Sequence, residues 1–164
     1  MSSPTERRHL LTWVDPAISA RALGAMSGLD YVRSLRDAQG PLPPMYSLCN
    51  FRFLEAEPGH VVFLVTPAEY HCNPVGIVHG GLACTALDTA TALTILTLLP
   101  AGADLMSLEV KVNFVRAITL ETGDMRCEGR VIHAGRRVAT AEGRITDSKG
   151  VLHAHAVSTL LISQ

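Results

Sequence analysis

The longest apolar stretch of the chain runs from Leu82 to Leu99, and Asp88 is its only charged residue. Leu82, Ala86, Ala90, Leu93 and Thr97 recur at helical spacing, with Ala83, Leu87 and Thr94 in a second stripe beside them. A helix that is apolar on most sides must be wrapped by the rest of the protein. The pattern predicts this helix over about Gly80 to Leu98, ended by Pro100-Ala101-Gly102.

Downstream the period changes to two. In Met106 to Val115, Leu108, Val110, Val112 and Phe114 fall on one face, and Ser107, Glu109, Lys111 and Asn113 on the other. Further strands are expected at Thr122 to His133, Val138 to Thr146 and Val151 to Ile162. Turns at Ala134-Gly135-Arg136 and Asp147 to Gly150 join them. Upstream, Tyr46 to Glu55 and His60 to Thr66 read as two strands around the Pro58-Gly59 turn. Residues 19–37 read as one helix capped by Ser19 and ended by Gln39-Gly40-Pro41. Pro43-Pro44 then keeps the chain extended. Residues 1–18, with Pro4 and Pro16 as breakers, read as a loosely held arm that Trp13 anchors.

Consecutive strands joined by tight turns imply an antiparallel sheet. A single helix buried nearly all round requires that sheet to curl about it. The fold class is therefore α+β, one curled antiparallel sheet around one long central helix. An N-terminal helical extension (residues 1–44) precedes the main domain (45–164).

Composition narrows the function. Apolar residues make up 48% of the chain and charged residues 18%, so a core is readily built and disorder is excluded. Mean hydropathy is +0.24, high for a chain with no membrane span, which suggests apolar surface buried between subunits. The formal net charge of −1 makes no case for nucleic acid or an anionic membrane as partner. Cys49, Cys72, Cys84 and Cys127 are scattered without a CxxC pair, as expected of free thiols in a reducing compartment. Met1 to Leu11 lacks the continuous apolar run of a secretory signal, so a cytoplasmic location is expected. Neither a GxSxG elbow, a P-loop nor a GxGxxG fingerprint occurs.

The candidate chemistry lies where the long helix begins, in Asn73-Pro-Val-Gly-Ile-Val-His79-Gly80-Gly81. Glycines at a helix start let a ligand approach the backbone closely, and the first helical N–H groups are unpaired and carry the positive end of the dipole. Such donors suit a carbonyl oxygen becoming an oxyanion. The glycines also fit a plain tight turn. Asp88, a carboxylate within an apolar helix, must be paired, hydrogen-bonded or protonated. It is a candidate general base or nucleophile, or else the partner of a structural arginine. Eight residues separate Gly80 from Asp88, roughly 12 Å along a helix. A base and an oxyanion donor acting on one carbonyl must both lie within about 3 Å of reacting atoms. One chain is poorly placed to supply both, whereas two antiparallel helices in an isologous dimer can.

Asn73-x-x-Gly76-x-x-His79-Gly80-Gly81 followed by Asp88 resembles the motif of the hotdog-fold acyl-CoA thioesterases of the phenylacetate-degradation type. The order of helix and strands over residues 45–162 is similar to theirs. The resemblance implies that Asp88 acts as base or nucleophile on the thioester and that the Gly80 N–H polarises its carbonyl. Asn73 would help hold the carbonyl or the attacking water, His79 would orient the loop, and Ser107 would help place the water. It further implies that Gly81 borders the substrate and that Arg136 and Arg137, at a hairpin tip, meet the CoA phosphates, though a solvated turn explains those arginines equally well. Lys111 and Arg116 are weaker basic candidates. His153 and His155 share a strand face without a third ligand, so they read as surface or interface residues and no metal site is expected.

The expected protein is thus an acyl-CoA thioesterase that needs no cofactor, CoA entering as part of the substrate. It would be a homodimer paired further into a dimer of dimers, with no nucleic-acid or membrane partner. Two alternatives stay open. One is an enoyl-thioester hydratase or dehydratase using His79 and Asp88 as acid and base. The other is a non-catalytic acyl-CoA-binding module.

Overall fold

The computed structural model describes residues 5–163, so the breaker expected at Pro4 lies outside the described residues. Three helices come first: α1 (Pro16–Ala25), α2 (Gly28–Arg36) and α3 (Pro44–Leu48). Strands β1 (Phe51–Glu57) and β2 (His60–Val65) follow, then the long helix α4 (Gly80–Leu96). Strands β3 (Asp104–Phe114), β4 (Met125–Ala134), β5 (Val138–Thr146) and β6 (Leu152–Ser163) complete the chain. All six strands form one antiparallel sheet in the order β1-β2-β4-β5-β6-β3. The sheet curls about α4, which packs against every strand from β2 to β6.

The expected architecture is therefore present, with local corrections at the N-terminal end. The helix expected over 19–37 is two helices, because Met26 is extended and Ser27 caps α2 by accepting from the Asp30 N–H at 3.2 Å. Asp15, not Ser19, caps α1, accepting from the Ala17 N–H, and Pro16 opens the helix rather than breaking it. Pro44 likewise opens α3 across a stretch expected to begin a strand, so β1 starts only at Phe51. Trp13 does not anchor the arm, being 62% exposed. His9 stacks on Tyr70 with ring centroids 4.1 Å apart, and Arg7 pairs with Glu69 at 3.1 Å. Tyr31, Val32 and Leu35 of α2 join the same buried cluster as α4 and the sheet.

How α4 fits inside the sheet depends on glycines in facing strands. Gly129 of β4 is paired with Gly143 of β5. A Cβ on Gly129 would lie 2.4 Å from the Ala90 carbonyl oxygen and 2.5 Å from Thr94 Oγ1. The backbone of α4 thus approaches the sheet where no side chain intervenes. Gly129→Ala is expected to cost about 3 kcal/mol through forced separation of helix and sheet. At this chain length that lowers the melting temperature by roughly 10 °C, read by calorimetry.

Strand β3 closes one edge of the sheet and, among the described residues, pairs only with β6. Its register shifts between Ser107 and Glu109, which inserts a bulge at Leu108. Met106 is 65% exposed, Leu108 56% and Phe114 59%. A long strand edge carrying exposed apolar side chains is an open template for a further strand.

Candidate active site at the start and middle of the long helix

Asn73 opens the loop that leads into α4. Its Oδ1 accepts from the Val75 N–H at 3.0 Å and the Ile77 N–H at 3.3 Å, which folds the loop over Gly76, at φ 82°. With Oδ1 so engaged, the side-chain NH2 is the part left to act on a ligand. The loop is sealed by Asn73 N–H to Ile77 O at 2.8 Å and His79 N–H to His71 O at 2.8 Å.

His79 is the N-cap of α4, and its Nδ1 accepts from the Gly81 N–H at 2.8 Å. An accepting Nδ1 carries no proton, so in the neutral ring the proton sits on Nε2. This bond fixes the ring against the first turn of α4. It also gives Gly81 its reason, because a Cβ there would meet His79 Nδ1 at 2.8 Å. The Gly81 N–H is spent on the cap. Among the described residues the Gly80 N–H has no acceptor, so it is the donor left at the helix start.

Gly80 lines a cleft of about 270 Å³ with Asn73, Ala83, Phe114 and the Val115–Ile118 segment. The Phe114 ring would be 3.1 Å from a Cβ on Gly80, so the cleft is narrow where the helix begins. Arg116 is the charged member of that lining. The period-two pattern places Phe114 on a core face but carries no sign that it meets Gly80, and nothing local marks 115–118 as a wall.

Asp88 lies elsewhere. It is half-buried, and its Oδ1 accepts from Ser107 Oγ at 2.7 Å. The strict alternation expected for β3 puts Ser107 on the face opposite Val110, Val112 and Phe114. The bulge at Leu108 corrects this: Ser107, Val110, Val112 and Phe114 pair with Leu160, Ser158, Ala156 and Ala154, all buried residues on the helix side of β6. Ser107 therefore faces α4 and reaches the carboxylate. The two residues border a second cleft with Cys84, Thr85 and Leu108. Burial pushes the Tyr46 phenol far above its ordinary range, with Tyr31 and the Asp88 carboxylate adding to the effect. Tyr46 lies on α3 rather than in the strand expected from Tyr46 to Glu55.

Asn73 and Gly80 in one cleft and Asp88 and Ser107 in the other share no lining residue. Within one chain the structure does not bring Asn73 and Gly80 together with Asp88 and Ser107. Arg136 and Arg137 sit at the β4–β5 hairpin, lining a third cleft with Leu161, Ile162 and Ser163. Ile162 pairs with Leu105, so this cleft lies toward the Ser107 end of β3. Of the two histidines read as surface residues, His155 is exposed, but His153 is buried. No group of metal-ligating side chains is found among the described residues. The four cysteines are free. No helix among those residues is long and apolar enough to cross a membrane.

Residues 75–154 match the family model of the Thioesterase superfamily. A phenylacetic acid degradation-related protein of Ralstonia eutropha JMP134, provisionally described as a thioesterase, has a solved structure similar to this one. Its TM-score is 0.73 at 25% identity, over 80% of this chain and 98% of that one. The chain has the hotdog fold of the thioesterase superfamily. A Streptococcus mutans UA159 protein solved with acetyl-CoA bound has a TM-score of 0.64 at 25% identity, covering 70% of this chain and 89% of that one. A Saccharolobus solfataricus protein whose name assigns it provisionally to the esterases is 25% identical over 133 residues, 81% of this chain and 93% of its own. The resemblance read from the Asn73–Asp88 motif is borne out, and these matches support a thioester hydrolase.

Proposed function

We propose that the protein hydrolyses acyl-CoA thioesters at two equivalent sites of an isologous homodimer. Each site takes Asp88 and Ser107 from one protomer and Asn73 and the Gly80 N–H from its partner. The observation that carries this reading is the separation of these groups into two clefts of one chain, flanking an apolar strand edge that has no partner among the described residues. Gly80 lies beside Phe114, and Asp88 beside Ser107, so α4 runs antiparallel to β3. Two β3 edges pairing antiparallel about Val110 and Lys111 set the partner's Phe114 opposite Ser107. The partner's Gly80 then comes toward Asp88.

In this site the thioester carbonyl oxygen accepts from the Gly80 N–H and from the Asn73 amide. The positive end of α4 favours the negative charge that develops there. Asp88 takes a proton from water as the water oxygen bonds to the carbonyl carbon, or its carboxylate attacks that carbon itself. Collapse of the tetrahedral oxyanion breaks the C–S bond. In the water route Asp88 passes its proton to the departing CoA thiolate and the free acid remains. In the direct route water then hydrolyses the acyl-Asp88 anhydride, which frees the acid, regenerates the carboxylate and supplies the proton that the CoA thiolate takes up. Ser107, by donating to Oδ1, sets the direction in which the carboxylate points. The acetyl-CoA held by the Streptococcus mutans relative supports a CoA thioester as substrate, and Arg136 and Arg137 would receive its phosphates.

Release of free CoA thiol across a panel of saturated acyl-CoA thioesters tests the reading. Turnover of at least one is expected, and tight binding of acyl-CoA without thiol release would overturn it. In the same assay Ser107→Ala is expected to lower kcat roughly tenfold, as loss of a hydrogen bond to a charged group implies.

A further inference from the structure

Among the described residues, two buried side-chain atoms lack a hydrogen-bond partner: Thr94 Oγ1, in the tight seam at Gly129, and His153 Nε2. The seam accounts for the first. His153 falls where the β5–β6 register shifts, between the Ile145–Ala154 and Thr146–Leu152 pairs, so it stands outside the ladder. Its ring Nδ1 is 3.1 Å from the Ala117 carbonyl oxygen. A carbonyl only accepts, so Nδ1 carries a proton and donates it. Nε2 stands 3.6 Å from Asp147 Oδ2, within ion-pair range but too far for a hydrogen bond. Asp147 is itself fixed in the β5–β6 turn, accepting from the Val151 and Lys149 N–H groups at 2.9 Å each.

The backbone of the same residue grips the same segment. The His153 carbonyl accepts from the Val115 N–H at 2.8 Å and the Arg116 N–H at 3.0 Å. One residue thus holds three successive residues, Val115, Arg116 and Ala117. The next, Ile118, accepts from the Val78 N–H at 2.9 Å, two residues before Gly80. This bonded path runs from His153 to the wall of the Gly80 cleft and on to the loop that starts α4.

We propose that His153 is a positioning residue for the oxyanion half of the site. Its Nδ1–H holds the Val115–Ile118 wall, and through Val78 the Gly80 N–H, at the geometry the thioester carbonyl needs. This rests on the reading of the Gly80 cleft as the carbonyl-binding half-site. The ring does not touch the substrate; it acts through the segment it holds. Small displacements of oriented groups cost large factors in rate, so the effect falls mainly on kcat.

The test compares His153→Asn, His153→Gln and His153→Leu in the full-length protein. Asparagine carries its amide where Nδ1 stands, whereas glutamine carries it one bond further out and leucine has none. His153→Asn is expected to keep kcat within about threefold of the parent, and the other two to lower it roughly tenfold to a hundredfold with KM changed much less. Hydrogen exchange of the segments 73–83 and 115–120, followed by mass spectrometry, reads the positioning without activity. Both segments should exchange faster in the Gln and Leu variants and at the parental rate in the Asn variant. If Leu fails to fold, the Asn–Gln pair still decides. Equal kcat in Asn and Gln, a loss confined to KM, or unchanged exchange in Gln would overturn the proposal. A parent that hydrolyses no thioester defeats the reading of the site instead, and the exchange data still decide whether His153 holds the wall.

Discussion

Asp88→Asn is expected to lower kcat for acyl-CoA hydrolysis by about a thousandfold or more, with folding and assembly retained. Whether Asp88 attacks the carbonyl or takes a proton from water, the amide can do neither. General-base groups account for factors of roughly 10² to 10⁴. A thousandfold loss corresponds to about 4 kcal/mol of transition-state stabilisation. The structure explains why the fold tolerates the change. Asp88 is half-buried and, among the described residues, has one side-chain partner, Ser107, which donates to it. An asparagine carbonyl accepts the same bond, so stability should stay within about 1 kcal/mol of the parent. Thiol release measures kcat, and thermal unfolding with size-exclusion chromatography measures the rest. A variant that releases CoA at the parental rate removes Asp88 from the mechanism.

The shared-site arrangement makes the second large prediction. Asn73→Asp keeps an oxygen that can accept from the Val75 and Ile77 N–H groups, so the loop retains its turn. It replaces the donor that would face the carbonyl with an acceptor of like charge to the oxyanion. Its kcat is expected to fall by roughly 10² to 10³, as when an oxyanion donor is lost. Mixing this variant with Asp88→Asn under subunit exchange should restore activity. Each mixed dimer holds one site with both defects and one with neither, and random exchange makes half of the dimers mixed. About a quarter of parental activity should therefore return from two nearly inactive preparations. Native mass spectrometry verifies the exchange. If mixed dimers form and no activity returns, the donors and the carboxylate do not combine across the interface.

Both predictions descend from a spacing legible in the chain. The gap between Gly80 and Asp88 separates the two groups on any α-helix, whatever surrounds it. What could not be read is how the strand beside the helix distributes its side chains. Strict alternation sends Ser107 away from Asp88, and a single inserted residue at Leu108 turns it toward the carboxylate. A bulge leaves no signature in a run of alternating residues, because it depends on how the strand meets β6. At the other end of the chain, Pro16 is expected to break the chain and Pro43-Pro44 to keep it extended, yet Pro16 and Pro44 each open a helix. Proline suits the first turn, where its missing N–H would have no intrahelical partner. His153 shows the same limit: its neighbours in the chain are those of an exposed strand residue. It is buried, with Ala117 within hydrogen-bond reach and Asp147 3.6 Å away.

The chain by itself determined the buried helix, the glycine pair at its start, the carboxylate two turns inside it and the antiparallel strands around it. Those follow from periodicity and local backbone chemistry, which act over a few residues. Only the tertiary structure decided that the donors and Asp88 open into separate clefts, that Ser107 reaches the carboxylate, and that the wall beside Gly80 hangs on His153. Those depend on strand register and on contacts between residues dozens of positions apart, where the local pattern carries no information. The stretch from Asn73 to Asp88 is continuous in sequence, and in space its two ends line two different clefts.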